Sequence, residues 1–137
     1  MAARLAAAVG IVLTAALVVP ATAATPRAGS WSGSTDQNRS ISFTVTPSRE
    51  KVKDISFSFK GSCENGSGTA GTKTFLGKFN VSNGEFTARS GASVVKGEFT
   101  RKRKARGTLK WRGSYIDPVT YRSVSCRSRK VGWTAER

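Results

Sequence analysis

Ser40-Ile41-Ser42-Phe43-Thr44-Val45-Thr46 alternates polar and apolar residues without a break. A period of two marks a strand with one wet face and one buried face. An amphipathic helix would repeat its apolar residues every three or four positions. Pro47-Ser48-Arg49-Glu50 then reads as a turn, and the alternation resumes. Ile55, Phe57 and Phe59 share one parity against Asp54, Ser56, Ser58 and Lys60, and Cys63 continues it through Gly61.

Glu64 to Gly71 is rich in Gly, Ser and Asn and reads as a loop. Phe75, Phe79 and Val81 form the next inward set, with Gly77 between them. Asn83-Gly84 predicts a tight turn, because both residues tolerate positive φ. Phe86 and Ala88 follow; then Val95, Gly97 and Phe99; then Leu109 and Trp111; then Val124 and Cys126; then Val131, Trp133 and Ala135. From Trp31 onward no apolar stripe of helical period runs for three turns.

Glycine stands two positions before a large residue in Gly29-Ser30-Trp31, Gly77-Lys78-Phe79, Gly84-Glu85-Phe86, Gly97-Glu98-Phe99 and Gly107-Thr108-Leu109. Each glycine then shares a strand face with the large side chain, so a neighbouring ring has room to pack over it. The pattern predicts an all-β domain over residues 31–137, an antiparallel sandwich or small closed barrel of about eight or nine short strands.

The chain begins differently. Arg4 precedes an unbroken apolar run from Leu5 to Val19, Pro20 ends it, and Ala21-Thr22-Ala23 supplies a small-x-small cleavage pattern. The run is about 15 residues, short of the roughly 20 that a membrane-spanning helix needs. Residues 1–24 therefore read as a secretory signal helix, cut after Ala23 or one residue later, with an uncleaved anchor as the alternative. Residues 25–30 read as a flexible leader. The expected product is secreted, without integral membrane association, and holds about 113 residues, one domain's worth.

Cys63 and Cys126 are the two cysteines. In an oxidising compartment an isolated pair most often forms a disulfide. Both fall on inward parity, so a bridge between two faces of the core is expected. Two free thiols or a metal pair are the alternatives, and a two-cysteine metal site would need further ligands.

This layout resembles a group of small exported bacterial proteins, of actinobacterial type, that carry no assigned activity. The matching pieces are Gly29-Ser30-Trp31-Ser32-Gly33, Ile41-Ser42-Phe43-Thr44-Val45, Cys63, Gly84-Glu85-Phe86, Gly97-Glu98-Phe99, Cys126 and Trp133-Thr134-Ala135-Glu136-Arg137. The resemblance implies an exported all-β fold and brings no catalytic residues. Gly29-Ser30-Trp31 also resembles the opening Gly-x-Trp of lipocalin-type barrels. That likeness implies a Trp closing one barrel end and a lumen for a small apolar ligand.

The chemistry-bearing residues are sparse. There is no histidine, so no His-based triad or His metal site can be built. Glu85 and Glu98 are candidates for a carboxylate pair on adjacent strands, but both sit on outward parity and read as solvated positions. No phosphate-cradling or nucleophile-elbow motif occurs. No enzyme activity, cofactor or metal is expected.

Charge is the distinctive feature: 23 Lys and Arg against 8 Asp and Glu, a formal net charge of +15. Such a field attracts polyanions. Arg101, Lys102, Arg103, Lys104 and Arg106 are expected at a hairpin tip, solvated and mobile unless an anion screens them. Lys110 and Arg112 continue the basic face along the next strand, Lys96 lies across from it, and Arg127, Arg129 and Lys130 add a second cluster. If these strands are neighbours, the cations form one surface. The expected partner is an extracellular polyanion: nucleic acid, a cell-wall polymer or an acidic polysaccharide. The alternatives are a protein-interaction or inhibitor module acting through Tyr115–Tyr121, and a lipocalin-like small-ligand binder. The Tyr115–Tyr121 segment is expected to fold back and cap the core.

Overall fold

The computed structural model describes residues 23–137. The signal helix expected over 1–24 lies, but for its last two residues, outside them. The described chain is all-β. Its strands are β1 (Gly29–Thr35), β2 (Ser40–Val45), β3 (Lys51–Cys63), β4 (Gly68–Asn80), β5 (Glu85–Ser90), β6 (Ser93–Arg101), β7 (Lys104–Lys110), β8 (Arg112–Ile116), β9 (Ser123–Arg127) and β10 (Val131–Glu136). One antiparallel sheet runs β5-β6-β7-β10-β1-β2-β3-β9-β8, with β4 on the remaining edge of β3. The sheet curls into a half-barrel around its own apolar face.

For most strands the parity read from the sequence is the parity of burial; in β4 Gly77 is exposed and Phe79 half-buried. Ile41, Phe43 and Val45 are buried, as are Ile55, Phe57 and Phe59. Asn83 and Gly84 take φ of 52° and 72°. The flanking Ser82 and Glu85 exchange both backbone hydrogen bonds, so this is the predicted two-residue hairpin turn.

Two departures lengthen the strands. Gly68 to Gly71, expected as loop, are strand: Ser62 pairs with Gly68 and Phe59 with Gly71. Pairing along β3 overrides the weak strand propensity of these residues. Val52 and Ile55 are both fully buried although an odd spacing separates them. A bulge at Asp54, with φ of 54°, sets three steps of β3 against two of β2 and restores the inward face. Against β4 the extra residue lies on β4, at Leu76-Gly77, where Gly77 has φ of 96°.

The interior is aromatic. Phe43 touches Trp31, Phe86, Phe99 and Trp133 at centroid distances of 5.7, 5.7, 6.2 and 5.8 Å. These rings, with Phe57, Phe75, Ile41, Ile55 and Leu109, occupy the space where a lipocalin-type lumen would lie. Trp31 lies beneath the segment from 25 to 30. Its indole N–H donates to the Arg27 carbonyl at 2.9 Å, and the Arg27 N–H donates to the Lys102 carbonyl at 2.9 Å. Pro26 is buried, and Gly29 and Ser30 already belong to β1.

Cys63 and Cys126 form a disulfide. They are direct partners in the β3–β9 ladder. The bridge therefore staples neighbouring strands and does not cross between two faces of the core. With Val124 and half-buried Trp111 it makes a small satellite cluster.

Candidate polyanion-binding surface

The outer face of β5-β6-β7-β10 can be read row by row from the register. Arg89 opposes Val94, and Val94 opposes Lys110. Leu109 pairs with Val131, which sets Lys130 beside Lys110. The next row holds Thr87, Lys96, Thr108 and Gly132; the one after holds Glu85, Glu98, Arg106 and Thr134.

The first of these rows, with Lys96 from the second, surrounds a groove of about 260 Å³ lined by Arg89, Val94, Lys96, Thr108, Leu109, Lys110 and Lys130. No carboxylate lines it. Arg89, Lys96 and Lys110 come from β5, β6 and β7, so their backbones are fixed by sheet pairing, and Lys130 directly precedes β10.

The third row is different. Glu85 and Glu98 face each other across β5 and β6, and Arg106 reaches Glu98 at 3.7 Å. This acidic band separates the groove from the hairpin tip. The tip is the two-residue turn Lys102-Arg103 between Arg101 and Lys104. Lys104 pairs with Glu136 at 3.7 Å. From Lys104 to Lys110 the strand covers about 20 Å, so tip and groove are separate basic zones. The backbone of the tip is tied on both sides, by Arg27 to Lys102 and by the Arg137 N–H to the Arg103 carbonyl at 3.2 Å. Its side chains remain exposed.

Arg112 and Arg127 leave this face altogether. The chain breaks its pairing at Trp111, which stacks on Phe59 at 4.1 Å. The Trp111 N–H donates to Ser128 Oγ at 2.8 Å. After that joint Arg112 belongs to β8, directly opposite Arg127 of β9. Arg129 is exposed in the connection to β10, next to Lys130. Of the cations singled out from the sequence, the structure brings Lys110 and Lys130 together, keeps Arg101 to Lys104 as a second group, and pairs Arg112 with Arg127 as a third. Arg89 was missed. The two-residue turn Gly91-Ala92 was the signal: counting outward from it pairs Ser90 with Ser93 and Arg89 with Val94.

The Tyr115–Tyr121 segment does not cap the core. Ile116, Val119 and Tyr121 are 63%, 83% and 81% exposed. Asp117 organises the turn locally: its Oδ1 accepts the Val119 N–H at 2.8 Å, and its carbonyl accepts the Tyr121 N–H at 2.8 Å. The turn closes on itself, so its apolar side chains face solvent.

No family model matches the chain, and the searches of curated proteins and of solved structures match none.

Proposed function

We propose that this is an exported, non-catalytic binding protein that holds an extracellular polyanion in the groove between Arg89, Lys96, Lys110 and Lys130. The observation that carries the reading is the groove itself: four cations converge on it and no carboxylate lines it. A concave basic site concentrates the field and the local anion population, whereas cations on a convex tip fan outward. The signal segment expected at 1–24 and the disulfide, which suits an oxidising compartment, support a site of action outside the cytoplasm.

The groove has no aromatic wall, so it offers no platform for stacking bases. Recognition rests on phosphate, sulfate or carboxylate groups along a backbone, without reading of sequence. The aromatic packing of the interior favours this surface over a lumen ligand.

Retention on heparin and on duplex DNA resin tests the proposal. Exchanging Lys110→Ser and Lys130→Ser together is expected to weaken DNA binding about tenfold at moderate salt and to flatten the log–log salt slope by about 2. Substituting Arg101, Lys102, Arg103 and Lys104 by Ser is expected to do less. An unchanged elution of the Lys110/Lys130 variant would overturn the groove as the site.

A further inference from the structure

We infer that the tip of the β8–β9 hairpin is a membrane-surface anchor, its Ile116, Val119 and Tyr121 side chains entering the headgroup layer of an anionic bilayer. This surface is separate from the groove.

The first observation is exposure without need. Val119 and Tyr121 leave more than four-fifths of their surface in water. A mobile loop would bury such side chains by folding back, but this one is held out. Asp117 accepts the N–H groups of Val119 and Thr120 at 2.8 and 3.3 Å, so the one carboxylate of the tip is turned onto the tip's own backbone. The Tyr115 hydroxyl accepts from Asn65 Nδ2 at 3.0 Å and braces the hairpin against the β3–β4 turn.

The second observation is strain. Tyr121 has φ of 55°, the left-handed region that a bulky side chain rarely enters. Glycine or asparagine would hold the same turn more easily. An aromatic ring kept there, aimed at solvent, is a functional signature in the sense that observed strain points to use.

The third is charge placed at the right depth. Arg122 sits beside Tyr121, and the Arg112–Arg127 pair lies at the opposite end of the hairpin. From Ile116 back to Arg112 is about 13 Å along the strand. Interfacial elements enter a bilayer by about 5–10 Å. An inserted tip therefore brings these guanidinium groups to the level of the lipid phosphates, which also relieves the like-charge opposition of Arg112 and Arg127.

A protein partner is less well matched. A stable protein interface takes about 800 Å² from each side and some 20–30 residues, whereas the tip offers three apolar side chains on a narrow turn. A bilayer asks only for a few inserted side chains together with basic residues.

Co-sedimentation with vesicles of equal parts phosphatidylglycerol and phosphatidylcholine tests the inference. The full secreted chain is expected to sediment with these vesicles and not with phosphatidylcholine alone. Ile116→Ser with Val119→Ser is expected to lower vesicle affinity by about tenfold or more while heparin retention stays unchanged. Tyr121→Gly is expected to lower vesicle binding while its thermal midpoint holds or rises, which separates membrane contact from a structural role. Absence of sedimentation by the wild-type chain overturns the inference. So does equal sedimentation of the Ile116/Val119 variant, which would assign the binding to charge alone. A stoichiometric complex with a purified exported protein that these substitutions abolish, with vesicle binding intact, overturns it in favour of a protein partner.

Discussion

Gly97 and Gly107 face each other across β6 and β7, flanked by Phe86 on one side and Trp133 on the other. Two absent side chains in the middle of the row let the two outer rings lean in and meet at 6.3 Å. At these two glycines the packing is the one the spacing foretold, whereas Gly77 meets nothing within 4 Å. A Cβ on Gly97 would stand 2.3 Å from Phe86 Cε1 and 2.9 Å from Trp133 Cζ2, both on rigid buried rings. Gly97→Ala is therefore expected to cost about 1–3 kcal/mol by overpacking, seen as a lower urea midpoint with an unchanged slope. Gly68→Ala is the matched control. Nothing lies within 4 Å of its Cβ and its φ is not positive, so its stability should stay within about 0.5 kcal/mol of wild type.

Among the elements, the β8–β9 hairpin has the shortest ladder to the sheet. Its register pairs with β3 are Ser62–Arg127 and Cys63–Cys126. Hydrogen bonds of Glu64 with Ser125, Ser93 with Arg112, Asn65 with Tyr115 and Ser128 with Trp111 add local clasps. The disulfide spans a sequence separation of 63, for which the chain-entropy estimate is about 4 kcal/mol. Replacing both cysteines by Ser should remove about that much from the unfolding free energy measured in denaturant. Hydrogen exchange should show the loss unevenly. Amides of residues 112–127 are expected to lose protection first, while β1, β2 and β10 at the aromatic core stay protected. Uniform loss across the sheet would mean that the hairpin is not a separate stability unit.

At the scale of the whole molecule the governing quantity is charge. A formal +15 opposes compaction through self-repulsion, and among the described residues only three ion pairs lie within 4.0 Å, all of them exposed. Such pairs contribute about 0–1 kcal/mol each and do not offset the repulsion. Raising the salt from about 0.02 to 0.3 M shortens the Debye length severalfold, so the melting temperature is expected to rise by a few degrees in calorimetry. Heparin should raise it further at low salt by linkage, since a ligand bound only to the folded state at about 100 times its Kd adds about 2.7 kcal/mol. A melting temperature indifferent to both would argue that the cations are too widely spaced to act together.

The sequence by itself determined the class of the fold, the inward and outward face of most strands, the Asn83-Gly84 hairpin and the cysteine pair. These are local properties. The two-residue period of a strand, the tolerance of Asn-Gly for positive φ and the glycine left beside a large ring are each written within a few neighbouring positions. Only the tertiary structure decided which strands became neighbours. Inserting β10 between β7 and β1 set Lys130 beside Lys110, and the joint at Trp111 carried Arg112 away to oppose Arg127. Because β9, and not a strand across the core, lies against the end of β3, the disulfide became a staple between neighbours. The fate of the Tyr115–Tyr121 segment also had to wait for the fold. Whether an apolar turn caps a core or stands in water depends on where distant strands leave room, and no local pattern records that.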